Sequence, residues 1–388
     1  MTMRRMLAAR IVIAMAGAAL VVAAIAATHA WLDHHFLPSF FLPRRWFVAI
    51  HAIVRVSILL IGLALVVRAR SVAARLTVLS WPAVHLAIAA ALALAAAEVV
   101  LQRTTLRTGS WFVPAEEPLR TFDAQLGWTF VPNRTGHAVV GGRSIEYALD
   151  RNGYRVGRAA DAVDVNAPTI IFVGESMMFG EGLSWEESVP AQVGAMLNTQ
   201  SANLAVHGYS TAQAFLKLRT DLPRFRQPVA VVTLFMSALF GRNLDDDRPH
   251  LGRELRWYPT TEHARLVTLA GWLVPYRRTE TVDEGIAVTR ETLHAIAMLA
   301  RGRNAAALVV VPQFGPETAI ERTLRQRIFE GADVNHVFVE IDNAWRLPWD
   351  RHPNARAAGL MATSVAARLC EMRTGGNEVG GLLPKETR

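Results

Sequence analysis

The chain has 388 residues, 52% of them hydrophobic, enough for a membrane region plus one globular domain of ordinary size. Its net charge of +8 is unevenly placed: residues 1–101 hold nine Arg and no Lys against Asp33 and Glu98, and the remainder is almost balanced. That balance argues against a nucleic-acid partner. The single cysteine, Cys370, excludes an intrachain disulfide and a thiolate metal cage, and is expected half-buried on a late helix.

Three apolar runs come first. Residues 11–30 carry no charge, 47–67 are broken by His51 and Arg55, and 76–101 contain Pro82, His85 and Glu98. Each is about as long as a helix that crosses the hydrocarbon core, and none keeps a polar face for water. The expectation is therefore a membrane region over 1–101 with three transmembrane helices. Arg4, Arg5 and Arg10 precede the first run, and Arg68, Arg70 and Arg75 follow the second. Positive residues mark cytoplasmic ends, so three crossings place everything after 101 outside the cytoplasm. This predicts a multi-pass protein of a bacterial inner membrane, in contact with lipid, with its globular domain facing the periplasm. A cleaved signal peptide is the alternative reading of the first run, although its apolar stretch is longer than a usual signal core. Arg55, deep in the second run, is expected to snorkel towards the outer face, with a pair to Glu98 of the third run as the alternative.

Residues 102–166 alternate polar and apolar over 137–140 and 144–148, which predicts a small β-rich lead-in. From 167 to 373 the texture changes. Strands are expected over 169–173, 203–206, 229–236, 307–313 and 336–341, and helices over 184–197, 211–220, 289–301 and 354–373. Such alternation predicts an α/β fold with a parallel sheet covered on both faces and a site at the carboxyl ends of the strands. Residues 242–287 fit the alternation poorly and, with Trp257, Tyr258, Trp272 and Tyr276, suggest an insert or lid. Asp245-Asp246-Asp247 lacks the spaced ligands of a calcium loop and reads as a solvated turn. No metal site is expected. The Gly-rich tail 374–388 reads as disordered.

Two stretches carry chemistry. Gly174-Glu175-Ser176 ends the first strand of this domain, where a hydroxyl reaches the site and backbone N–H groups face a developing oxyanion. Pro348-Trp349-Asp350-Arg351-His352-Pro353-Asn354 follows the last strand. A neutral histidine can take the serine proton, and an aspartate two residues earlier can orient the ring. His207 reads as structural.

Gly174-Glu175-Ser176-Met177-Met178-Phe179-Gly180-Glu181-Gly182 resembles the first block of the SGNH (GDSL-like) hydrolases, G-D-S-x-x-x-G-x-G. Asp350-Arg351-His352-Pro353-Asn354 with Gly359 resembles their last block, and Asn203-Leu204-Ala205-Val206-His207-Gly208 their second. In the lead-in, Leu126-Gly127-Trp128, Pro132-Asn133 and Asn152-Gly153-Tyr154-Arg155 resemble the segment before many envelope members. The resemblance covers roughly 120–372. It implies a three-layer flavodoxin-like SGNH fold and a Ser176–His352–Asp350 triad with no cofactor. It also implies an oxyanion hole from the N–H groups of Ser176 and Gly208 plus an asparagine of the third block. That asparagine is not in place. Ser237 stands there and Asn243 comes a few residues late, so either is the candidate third donor. Glu175 replaces the usual Asp and should still accept backbone hydrogen bonds.

Resemblance and predicted location together point to a serine ester hydrolase acting on acyl, above all acetyl, esters of envelope glycans or lipids. An O-acyltransferase modifying an envelope polysaccharide would use the same triad. A non-catalytic glycan-binding or assembly protein on an SGNH scaffold is the reading from another class, favoured by the altered third block.

Overall fold

The computed structural model describes residues 3–37, 44–76, 80–103, 116–140, 142–273, 276–348 and 350–374. Residues 375–388 of the expected disordered tail and 104–115 of the lead-in lie outside them.

The apolar N-terminal runs form helices α1 (Met3–Ala26), α2 (His29–His35), α3 (Arg44–Val67), α4 (Ala69–Leu76) and α5 (Ser80–Leu101). By length and composition, Met6–Ala26 and Arg44–Val67 could each cross a membrane, and Ile88–Leu101 is a shorter apolar stretch. Large aliphatic side chains on α1 and α3 point outward, Val12 and Ile53 being 64% and 67% exposed. The two helices meet through glycine. A Cβ on Gly17 would stand 2.7 Å from the Gly62 carbonyl oxygen, and one on Gly62 2.8 Å from that of Gly17. Only backbones without side chains approach so closely, the device by which small residues hold apolar helices together.

The rest alternates as the sequence suggests. It runs β1 (Arg120–Asp123), β2 (Gly127–Phe130), β3 (Arg134–Val140), β4 (Arg143–Leu149), β5 (Arg155–Val156), β6 (Pro168–Phe172), α6 (Ser176–Phe179), α7 (Val189–Met196), β7 (Gln200–Asn203), α8 (Thr211–Asp221) and β8 (Gln227–Leu234). There follow β9 (His250–Leu251), β10 (Trp257–Tyr258), α9 (Arg265–Leu273), α10 (Thr279–Arg301), β11 (Ala306–Phe314), α11 (Ala319–Phe329), β12 (His336–Ile341) and α12 (Ala355–Thr374). β1 pairs with β2, and β9 with β10, as small antiparallel ribbons.

One sheet dominates, in the order β12-β11-β8-β6-β7-β5-β4-β3. Its first five strands are parallel. Numbered by first appearance they read 2-1-3-4-5 from β7 to β12, the flavodoxin-like doubly wound order. Consecutive residues of β6, Ile170, Ile171 and Phe172, are all buried, so both faces are covered, because neighbours on a strand point to opposite sides. The lead-in is less separate than the sequence suggests. Strands β3, β4 and β5 continue the sheet antiparallel beyond β7.

Local chemistry sets several boundaries. Helix α7 starts at Val189 rather than 184, because the Ser188 side chain accepts from the Ala191 N–H and Pro190 occupies the first turn. Helix α8 opens with a Ser210/Gln213 capping box. Helix α10 begins ten residues before its expected start at 289. Helix α11, not anticipated, opens with a Thr318/Glu321 capping box. Cys370 is exposed rather than half-buried. The Asp245–Asp247 turn is not merely solvated: both end carboxylates bond the guanidinium of buried Arg248, at 3.3 and 3.4 Å.

By packing, Met1–Arg107 with His263–Thr279 form one compact unit, and Thr108–Glu262 with Glu280–Arg388 another. Thus α9, from the expected insert, packs with the apolar helices. Glu98 explains why. Its carboxylate accepts the N–H groups of Arg265 and Leu266, at 2.8 and 2.9 Å, capping the first turn of α9. Arg55 instead donates to the carbonyls of Ala24 and Ile25 at the end of α1, at 2.6 and 3.4 Å. The alternative Arg55–Glu98 pair therefore gives way to two helix ends. An anion suits orphan N–H groups and a cation suits orphan carbonyls.

Candidate active site

The site is assembled at the carboxyl ends of β6, β7 and β12, with Ser176 next to the position between β6 and β8 where strand order reverses. Ser176 is the first residue of α6, a single turn capped by Glu175, whose Oε1 accepts the Met177 N–H at 3.1 Å. The turn ends at Gly180, with φ of +85°. A Cβ there would lie 2.7 Å from Arg155 Nη1, so glycine serves both the left-handed backbone and the close approach.

Buried Arg155, on β5, fixes this turn from behind. It donates to the carbonyls of Phe179, Gly180 and Leu183 at 2.6, 2.7 and 2.5 Å, and lies over the rings of Tyr147 and Phe179. Burial lowers its pKa to about 10, so it stays charged at neutral pH. Asn203, at the end of β7, adds bonds from Nδ2 to the carbonyls of Met178 and Phe179.

The histidine arrives on the loop after β12. That loop is closed by the Leu347 N–H to His352 O, the Asp350 N–H to Leu347 O and the Asn354 N–H to Trp345 O. Asp350 Oδ1 accepts the backbone N–H of His352 at 2.7 Å and bonds its Nδ1 at 2.5 Å, which is how an i, i+2 pair orients the ring. The other ring nitrogen, Nε2, is 2.8 Å from Ser176 Oγ. The structure thus brings Ser176, His352 and Asp350 into one hydrogen-bonded series.

Two more carboxylates join it. Ser176 Oγ is 2.6 Å from Glu175 Oε2, which also accepts from Arg242 Nη1 at 3.3 Å. Glu181 Oε2 is 3.4 Å from His352 Nε2 and 3.7 Å from His207 Nε2. The hydroxyl carries one proton and has two acceptors beside it. With His352 charged, Nε2 donates to Oγ and the hydroxyl proton points to Glu175. With His352 neutral, the proton can turn to Nε2. That second arrangement is the one in which serine can be deprotonated as it attacks.

Electrostatics follow from burial and these contacts. Burial alone would lower His352, but its bond to Asp350 and the charges of Glu181, Asp350 and Glu175 outweigh that, and its pKa is raised. Burial alone would raise Asp350; the bonds and charge of His352 win, and its pKa is lowered. Burial raises Glu181. His207 is pushed well below the ordinary imidazole value by burial, helped by Arg120, and is neutral. Its ring stands edge-on to Phe179 with centroids 4.3 Å apart, and its carbonyl accepts from Trp128 Nε1, a structural role.

The expected oxyanion donors fare differently. Among the described residues, the N–H groups of Ser176 and Gly208 have no protein acceptor, and the Val206 N–H bonds the Gly174 carbonyl, tying their two loops together. The third donor is not where the sequence suggests. Ser237 Oγ donates to the Glu321 carbonyl at 3.3 Å. Asn243 accepts the Thr211 N–H and gives its amide protons to Thr211 Oγ1 and Thr289 Oγ1, at 2.9, 3.0 and 3.0 Å. Both are committed to neighbouring elements. Besides Arg155, half-buried Arg242 reaches the serine turn, through Glu175. Arg242, Glu181 and Arg155 were not assigned roles from sequence. For Glu181 a signal existed, an acid between two glycines in an apolar turn.

No family model matches the sequence, and no curated protein does. Solved structures similar to it include an acetyl xylan esterase from the rumen bacterium Butyrivibrio proteoclasticus, 12% identical, with TM-score 0.34 over 55% of this chain and 66% of that one. A member of the lipolytic G-D-S-L family from Veillonella parvula is 13% identical, with TM-score 0.31 over 52% and 97%. A carbohydrate esterase family 2 enzyme from Corynascus thermopiles is 14% identical, with TM-score 0.35 over 58% and 70%. At these identities and scores the likeness carries no argument. By its own strand order the chain has a flavodoxin-like, doubly wound α/β fold.

Proposed function

We propose that the protein is a membrane-anchored serine ester hydrolase. The observation that carries this reading is the unbroken series Asp350–His352–Ser176, with bonds of 2.5 and 2.8 Å, the second between residues 176 positions apart in sequence. In the proposed reaction His352 Nε2 takes the Ser176 proton as Oγ attacks the ester carbonyl. The N–H groups of Ser176 and Gly208 stabilise the oxyanion, and Asp350 steadies the charged ring. The alcohol leaves with the proton from Nε2. Water then attacks the acyl-serine by the same route and releases the acid.

The anchor is the set of apolar helices, whose outward aliphatic faces suit lipid. The arginines around them favour a catalytic domain on the outer side. There the accessible esters are those of envelope glycans and lipids, and we propose a small acyl group, acetyl above all, as the one removed. The test is release of acetate from acetylated envelope polysaccharide by the purified full chain, compared with Ser176→Ala. Acetate release by wild type alone supports the reading. Equal release by both refutes it. Acetyl appearing on an added glycan instead of in water would make it a transferase.

A further inference from the structure

His352 has a carboxylate at each ring nitrogen, and the triad uses only one. Asp350 Oδ1 holds Nδ1, while Glu181 Oε2 stands 3.4 Å from Nε2, beside Ser176 Oγ at 2.8 Å. Glu181 does not reach this place by a flexible loop. Its N–H bonds the Ser176 carbonyl at 3.0 Å, and the next residue, Gly182, donates its N–H to the Tyr147 hydroxyl at 2.8 Å. A Cβ on Gly182 would lie 2.2 Å from Leu347 Cδ1, so the serine turn and the histidine loop are packed in contact there. Resting on the reading of Ser176 and His352 as nucleophile and base, we propose that Glu181 is a positioning residue that holds the Nε2 edge of the imidazolium. It competes with Ser176 for that edge, and so sets the pH at which the serine becomes active.

The groups around Glu181 decide the sign. His352 is the positive partner. His207, on the β7 loop, is neutral at working pH and does not cancel the Glu181 charge. Asp350 and Glu175 add negative charge, and Arg120 from β1 adds a more distant positive one. Arg242 is already bonded to Glu175. Removing the Glu181 charge leaves His352 easier to deprotonate. Even at the dielectric of water one unit charge at 3.4 Å corresponds to about one pH unit, and the burial of both partners makes that a lower bound.

The experiment measures kcat/KM for 4-nitrophenyl acetate against pH with the full chain, alongside fluorophosphonate labelling of Ser176. In Glu181→Gln the acid limb should move down by at least about one unit, so that well below the wild-type limb the variant outpaces wild type by about tenfold or more. Glu181→Asp, which keeps the charge, should stay nearer wild type and also covers the case in which Gln fails to fold. A limb that stays within about 0.2 unit in Glu181→Gln overturns the proposal while leaving the esterase reading intact. Wild type that is never labelled at Ser176 at any pH overturns both.

Discussion

Replacing Arg155 by Met should loosen the turn that carries Ser176, and the structure fixes the size of the effect. Three charged hydrogen bonds are lost, each worth about 1.5–3 kcal/mol, but the cost of burying the guanidinium is lost with them. The acceptors are not all stranded. The Phe179 carbonyl keeps Asn203 Nδ2, and the Gly180 carbonyl keeps the Leu183 N–H. Only the Leu183 carbonyl is left without a donor among the described residues. Leaving one buried carbonyl unsatisfied costs about 1–3 kcal/mol. For a unit of this size that is a fall of about 2–12 °C in Tm. Circular dichroism melting of the detergent-purified chain measures it. Hydrogen exchange over 176–183 should rise more than exchange in β11. A Tm within about 2 °C of wild type would refute the idea that Arg155 pins the nucleophile turn.

Other outcomes follow from the same contacts. Gly62→Leu drives a side chain into the Gly17 carbonyl and should separate α1 from α3, read as loss of a disulfide between cysteines placed on the facing turns. Asn243→Ala removes three bonds to Thr211 and Thr289 and should cost about 1–3 kcal/mol of stability. Its effect on kcat should stay far below the 10²–10³ loss expected of an oxyanion donor, and a loss of that size would restore Asn243 to the hole. Because the His352 pKa is raised and the base must be neutral, kcat/KM should fall through an acid limb above the ordinary imidazole value of about 6.5. Asp350→Asn should lower that limb as well as kcat, and a limb unchanged by it would contradict the assigned partner.

Much of this was legible because it depends on short-range chemistry. Buried parallel strands read as continuous apolar runs, which is why β6, β8, β11 and β12 stand close to where the sequence puts them. Serine and histidine blocks announce themselves by their glycines, and the geometry explains two of these, Gly180 and Gly182. Helix α11 was also readable, since Thr318 and Glu321 form its capping box, yet its polar surface hid the period. What could not be read was long-range partnership. Glu98 meets a helix about 170 residues later, and Asn243, which resembles a displaced catalytic amide, is taken up by Thr211 and Thr289. Charge position alone suggested an Arg55–Glu98 pair; only the packing reveals that each meets a helix end.

Fluorophosphonate labelling is the most direct measurement, since it reports an activated serine without needing the natural substrate. Wild type should incorporate one label at Ser176, Ser176→Ala none, and His352→Ala at a rate at least about 10²-fold lower. Labelling of wild type no faster than His352→Ala would mean that the hydroxyl and the imidazole touch without chemistry.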